Sequence, residues 1–348
     1  MKSLKVYACY NLNQNIRMSS SSGAVFSLLA DYIFSKQGIV YGVSMSEDCY
    51  TAEFIGAIDR NELNPLRGSK YLQAKVGNTY KQVKANLLSG KLVLFTGTGC
   101  QINGLKNFLG KDYENLICVD VICHGVPSPA LWKKYVQRQE QKNGGKLKAI
   151  NFRCKDDSWI DFEMKEILDD IPQGSTKKMY ISKDKDSYMQ MFLRDYCLRP
   201  SCYECIAKNV KMADLTIADF WGINKVLPEM NDGKGTSLVL VRTDKGKEIF
   251  ELVSAGMKFK EVSYEDGVRA NPAEYKSCAR PLQRETFFED MQIMGFEELE
   301  KKYIVPIKLS LKNKIKRKIK NAIKYVLSIN WERAENNADY GLFFVFRI

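Results

Sequence analysis

A strand, a small-residue loop and a helix follow one another twice in succession, and this plan restricts the fold more than any other feature. Residues 91–110, KLVLFTGTGCQINGLKNFLG, begin with a continuous apolar run at Leu92 to Phe95. They pass through Gly97-Thr98-Gly99 into an amphipathic stretch closed by Gly110. Residues 115–136, NLICVDVICHGVPSPALWKKYV, repeat the plan, with a strand to about Cys123 and a helix opening after Ser128-Pro129. Short apolar runs without alternation suit strands buried on both faces, and strands that alternate with helices build parallel sheets. The expected class is α/β: a mostly parallel or mixed sheet flanked by helices.

Periodicity fills in the rest. Strands are expected at 4–9, 38–44, 50–58, 214–222 and 236–243, and helices at 23–34, 79–90, 185–196 and 244–256. Residues 265–300 read as mostly helical. Between about 148 and 184 the pattern turns to β with polar turns, an inserted β-rich segment. The expected division is residues 1–147, residues 148–300 of the same catalytic unit, and a C-terminal basic helical tail at 301–348.

Net charge is +12, but residues 301–326 alone carry ten Lys/Arg and no acid. The remainder is nearly neutral, so a nucleic-acid-binding core is not indicated. No run reaches the roughly 18 apolar residues of a spanning helix, and the first twenty lack a signal-peptide core. A cytoplasmic protein is expected. Within the tail, Leu311, Ile315, Ile319, Ala322 and Val326 share one helical stripe with lysines around them, so residues 308–348 are expected to attach peripherally to an anionic membrane surface. A lysine-faced helix packed on the sheet is the other reading.

Ten cysteines are many for a reducing compartment, and His124 is the only histidine. Cys9, Cys118 and Cys154 sit in strand patterns that suit buried fillers. Cys100 and Cys123 fall just past the ends of successive strands, where loops of an α/β sheet meet in one crevice. Cys202 and Cys205 form a CxxC pair preceded by LRPS rather than by a strand, unlike a redox dithiol. Together these four make a thiolate set for zinc or an iron–sulfur cluster, between which the residues do not decide, and Cys197 is a competing ligand. Gly97-Thr98-Gly99 and the cluster SSSSG (19–23) each offer backbone N–H groups and a helix N-terminus to an anion; plain helix capping explains either loop as well.

The ordered set SSSSGAVFSLL, RGSKYLQA, FTGTGCQINGLKNFL, VICHGVPSPALW, LRPSCYECIAK and DLTIADFWGI resembles the coenzyme F420 hydrogenase/dehydrogenase beta-subunit family, which includes plant 7-hydroxymethyl chlorophyll a reductase. The resemblance covers roughly residues 5–290. It implies an FAD-binding oxidoreductase with a 4Fe-4S cluster held by Cys100, Cys123, Cys202 and Cys205. It also implies a flavin site drawing on Ser21, Ser22, Gly23, Lys70, Tyr71, Gln73, Thr96, Gly97 and Thr98. Relatives often carry an N-terminal ferredoxin-like domain that this chain lacks, so a separate ferredoxin-like donor is expected. Ala24 and Ala218 replace glycines common in the family. His124 is a candidate proton shuttle, against a structural loop histidine. Lys70 is a candidate for neutralising a cofactor phosphate or the reduced flavin, against a solvated lysine.

The expected function is an iron–sulfur flavoprotein oxidoreductase passing electrons from that donor to a small organic acceptor. The rival is a zinc-stapled or cofactor-free scaffold associated with envelope polysaccharide assembly.

Overall fold

The computed structural model describes residues 4–170 and 174–304. The basic stretch beyond 304, with the expected membrane attachment, lies outside the described residues. Along the chain, the first half comprises β1 (Lys5–Asn11), α1 (Gln14–Met18), α2 (Val25–Ser35), β2 (Ile39–Met45), β3 (Ala52–Ala57), β4 (Ala74–Lys75), α3 (Thr79–Leu88), β5 (Val93–Thr98), α4 (Gly99–Leu109), β6 (Leu116–Val121) and α5 (Pro129–Asn143). Then come β7 (Leu147–Cys154), β8 (Glu163–Asp170), β9 (Ser175–Ser182), α6 (Ser187–Leu193), β10 (Leu215–Asp219), α7 (Ile223–Val226), β11 (Ser237–Val241), α8 (Asp244–Val253) and β12 (Met257–Val262). Helices Tyr264–Val268, Arg284–Ile293 and Phe296–Tyr303 follow.

Nine strands form one mixed sheet in the order β12-β1-β11-β10-β6-β5-β2-β3-β4. The expected parallel core is present: β2 pairs β5, β5 pairs β6 and β6 pairs β10, all parallel. Antiparallel strands flank it, β11 on β10, β1 on β11, and β3 on β2. The β-rich insert is a separate antiparallel sheet, β7-β8-β9.

The apolar runs behave as double-sided strands must. Leu94, Ile117 and Val119 face α2 and α8, packing with Val25, Leu29, Ile33, Ile249 and Phe250. Their neighbours Val93, Phe95, Leu116 and Cys118 face α3 and α4. Gly110, at φ 70°, closes α4 as its position foretold. A further core joins α5, α6, the small sheet and the last helices around Trp132, whose Nε1 donates to the Cys49 carbonyl at 2.8 Å. Among the described residues no helix is long and apolar enough to cross a membrane.

Candidate functional site

Strand directions bring the singled-out segments to one end of the large sheet. β2, β5, β6 and β10 run the same way, and β1, two antiparallel steps from β10, runs with them. Their carboxyl ends carry Cys100, Cys123–His124, Asp219–Trp221 and the serine cluster. β3 and β4 run oppositely, so Lys70–Gln73, which precede β4, enter at that same end.

Cys100 sits exposed in the first turn of α4, with Thr98 Oγ1 3.2 Å from its Sγ. Cys123, Cys202 and Cys205 are half-buried. Burial pushes the Cys123 thiol up to about 12; Lys208 opposes the rise, and Cys100, Cys202 and Cys205 add to it. Cys202 is raised by burial and likewise feels Cys100 and Cys205. The four thiols thus share one electrostatic neighbourhood. Lys208 Nζ donates to the Cys123 carbonyl at 2.5 Å, and the Cys205 N–H donates to Ser277 Oγ at 3.0 Å.

Cys197, the competing ligand of the sequence reading, is fully buried in the Trp132 core. Cys278 lies beside the set, its Sγ 3.7 Å from the Cys202 carbonyl. Cys9, Cys118 and Cys154 are buried fillers, as their patterns suggested. Among the described residues no three His, Cys, Asp or Glu side chains are placed to hold a metal ion. Ligands of one zinc ion must converge on it, whereas the thiolates of a four-iron cluster each take a different iron and stand further apart. As a donor set, four thiols from three loops at one sheet end are of the type that either group takes.

The residues expected at a flavin divide into two groups. Ser21 Oγ lies 3.1 Å from Ser69 Oγ and accepts the Ser69 N–H at 2.9 Å, joining the serine loop to the segment of Lys70 and Tyr71. Ser22 Oγ donates to the Thr236 carbonyl at 2.9 Å. Gly23 is packed so closely that a Cβ would lie 2.3 Å from the Cys9 carbonyl oxygen, so no larger residue fits there. Lys70 Nζ donates to the carbonyls of Pro65 (2.6 Å) and Arg67 (2.7 Å), and burial pulls its pKa down to about 7. Half-buried, it is held among the described residues by two carbonyls rather than by an acid. The Tyr71 ring packs against Phe152 and Phe192. Gln73 is half-buried just before β4.

The other group lies at the end of β5. Thr96 Oγ1 donates to the Tyr41 carbonyl at 2.9 Å. Gly97 and Thr98 belong to β5, in register with Asp120 and Val121. The Thr98 N–H donates to Gln101 Oε1 at 2.8 Å and Thr98 Oγ1 to the same atom at 3.1 Å, a capping box. That N–H is therefore taken within the chain.

Two groups of charges were not foreseen. His124 Nε2 lies 2.6 Å from Asp195 Oδ1, a residue 71 positions away held at φ 63°. Arg153, at the end of β7, pairs with Asp219 of the Asp-Phe-Trp-Gly segment and lies 5.1 Å from the Trp221 ring. Burial works against its charge, yet Asp219 and Tyr71 lie near enough to raise its pKa. Lys155 Nζ donates to the carbonyls of Ser22 (2.8 Å) and Lys234 (2.7 Å), and Arg17 pairs with Asp232. The signal in the sequence is the cation pair in Arg153-Cys154-Lys155 at the end of an otherwise alternating strand. Two clefts of about 340 and 780 Å³ open elsewhere, around Tyr135–Lys185 and around Glu47–Lys148, and none of the four thiols lines either.

A sequence model for the carboxyl-terminal part of the "Coenzyme F420 hydrogenase/dehydrogenase, beta subunit" matches residues 90–266. Among solved structures, a chain from the xenon-derivatised F420-reducing [NiFe] hydrogenase complex of Methanosarcina barkeri is similar at a TM-score of 0.47 and 16% identity, covering 88% of this chain and 95% of that one. No curated protein matches the chain. The matched segment holds all four thiols, His124, Arg153, Lys155 and Asp219, and the chain belongs to the coenzyme F420 hydrogenase/dehydrogenase beta-subunit family.

Proposed function

We propose that this member of an oxidoreductase family is an iron–sulfur flavoprotein that takes electrons from a ferredoxin-like protein and passes them to a small organic acceptor. A 4Fe-4S cluster on Cys100, Cys123, Cys202 and Cys205 would supply the one-electron exchange, and FAD beside Ser21–Gly23 and Lys70–Gln73 the conversion to two-electron chemistry. The carrying observation is that thiols from three separate loops share one electrostatic neighbourhood at the carboxyl end of the parallel strands.

The chain's own residues have definable tasks there. Lys208 pins the Cys123 loop through its carbonyl and favours the thiolate that metal binding needs. Ser277 fixes the backbone of Cys205. Asp195 orients His124, which at 40% side-chain exposure can exchange a proton with solvent. Lys155 fixes the serine loop through the Ser22 carbonyl, and Arg153 supplies positive charge beside Asp219.

The test is anaerobic purification followed by a visible spectrum with iron, sulfide and flavin analysis. Brown-yellow protein with all three present is expected. Cys100→Ser and Cys202→Ser should each lose most of the iron, because a hydroxyl replaces a thiolate poorly. Cys197→Ala and Cys278→Ser should retain it. Colourless wild-type protein containing zinc would overturn the reading in favour of a zinc-stapled scaffold. Normal iron in Cys100→Ser would remove Cys100 from the ligand set.

A further inference from the structure

Beside the thiol set the loop from Cys205 to Lys211 is laid against residues 273–277. Lys208 Nζ donates to the Ala273 carbonyl, and Lys211 Nζ donates to that of Glu274 at 2.6 Å. On the other side Asn103 of α4 donates to the Val210 carbonyl at 3.0 Å, which brings the helix bearing Cys100 against this loop.

The resulting face is apolar in its middle. Ile206 is 66% exposed, Tyr275 53% and Val210 43%. One such side chain in water is ordinary; three on segments bonded together, next to an exposed thiol, mark a surface that something covers. Around them the charge is mostly positive. Arg199, Lys276 and Arg280 are exposed, and Lys208 and Lys211 are half-buried. Glu204 and Glu285 are exposed, the latter paired with Arg280, while Glu274 is buried under Arg242 and Lys211.

The charge selects among occupants. A basic rim attracts and steers an acidic protein and repels a basic one. An exposed Cys100 places the thiol-held group near the partner. We propose that this face, with Ile206, Val210 and Tyr275 at its centre and Arg199, Lys276 and Arg280 on its rim, docks a small acidic electron-carrier protein of ferredoxin type. The inference rests on the reading above and adds where the donor binds. With a cluster held by the thiolates, each encounter would pass one electron from the reduced donor to it; no bond forms or breaks, and the oxidised donor departs.

The experiment uses the full chain, purified anaerobically with its measured iron and flavin, and an acidic two-cluster ferredoxin as probe. Binding is followed by calorimetry at low and high salt, with a basic cytochrome c as control. Saturable binding is expected to weaken at least tenfold as salt rises from about 0.05 to 0.3 M, because exposed charges are screened. Arg199→Glu/Lys276→Glu and, separately, Ile206→Ser should each weaken binding about tenfold. Their reduction by dithionite, read from the visible spectrum, should match the wild type, which shows that folding and cofactors are intact. No ferredoxin binding to wild type, equal binding to both variants, or equal binding of the cytochrome would each overturn the docking face. Wild-type protein without iron or flavin would instead overturn the functional reading, so the two failures are separable.

Discussion

Ala24 has a backbone that alanine tolerates poorly: φ 65° and ψ 30°, left-handed, at the N-cap of α2, where its side chain caps nothing. A left-handed L-residue costs roughly 1–2 kcal/mol, partly offset because glycine is the more flexible residue in the unfolded chain. Ala24→Gly should therefore stabilise the protein by about 0.5–1 kcal/mol, seen as a higher urea midpoint at unchanged slope. A lower midpoint would mean that the loop does not adopt this turn. Lys155 offers a second test. It is buried, hydrogen-bonded only to carbonyls, and desolvation pulls its pKa down to about 7, with Arg17 and Arg153 pushing the same way and Asp219 and Asp232 opposing. The unfolded chain, with an ordinary lysine, then binds more protons between pH 7 and about 10, so stability rises with pH across that window. Holding the charged form costs stability below it. Wild type should gain about 2 kcal/mol between pH 7 and 9 relative to Lys155→Met, measured by urea unfolding at each pH. Equal slopes for the two proteins would show that Lys155 keeps an ordinary pKa.

The elements were the most legible part of the sequence, and the reason is local. Apolar runs bounded by Gly and Pro, such as Leu92 to Phe95 before Gly97 and Leu131 to Val136 after Ser128-Pro129, fix type and position together. β12 escaped because an edge strand covers little: of Met257–Val262 only Met257 is buried, and its lysines face water. The turn after β5 was readable as strand-to-helix but not as to its occupant, since an anion and a side chain satisfy the same N–H groups. Gln101, three residues past Thr98, takes one of those N–H groups. A Cβ on Gly97 would meet Gln101 Oε1 at 2.9 Å and Phe54 Cζ at 3.3 Å. Gly97→Val should thus break the cap and crowd the ring, costing about 2 kcal/mol, and should lower iron and flavin together because Cys100 follows in the same helical turn. Loss of flavin alone, with stability unchanged, would instead point to a phosphate against this glycine.

At the scale of the molecule, what local pattern cannot show is which distant charges meet. Arg153 and Asp219 are 66 residues apart, on the small sheet and the large one, and neither neighbourhood names the other. Yet the pair ties the two sheets at the site end. The Arg153 side chain is 1% exposed and that of Asp219 15%. Phe162 lies against the guanidinium at 4.5 Å, and Trp159 donates to the second carboxylate oxygen at 3.3 Å. A buried guanidinium that pairs with one carboxylate depends heavily on that carboxylate. Removing one member of a buried pair leaves an uncompensated charge and costs about 3–5 kcal/mol, while replacing both with apolar residues is often near neutral. Asp219→Ala should therefore be strongly destabilising, and Arg153→Met/Asp219→Leu should recover most of the loss. The coupling between the two positions should reach about 2 kcal/mol, the range for residues in direct contact. Urea unfolding of the full-length wild type, both single variants and the double would give this coupling. Its measurement decides whether the small sheet is held by this pair, in which case the double variant unfolds near wild type, or by the Trp132 core alone, in which case Asp219→Ala costs under about 1 kcal/mol and the pair is no tie.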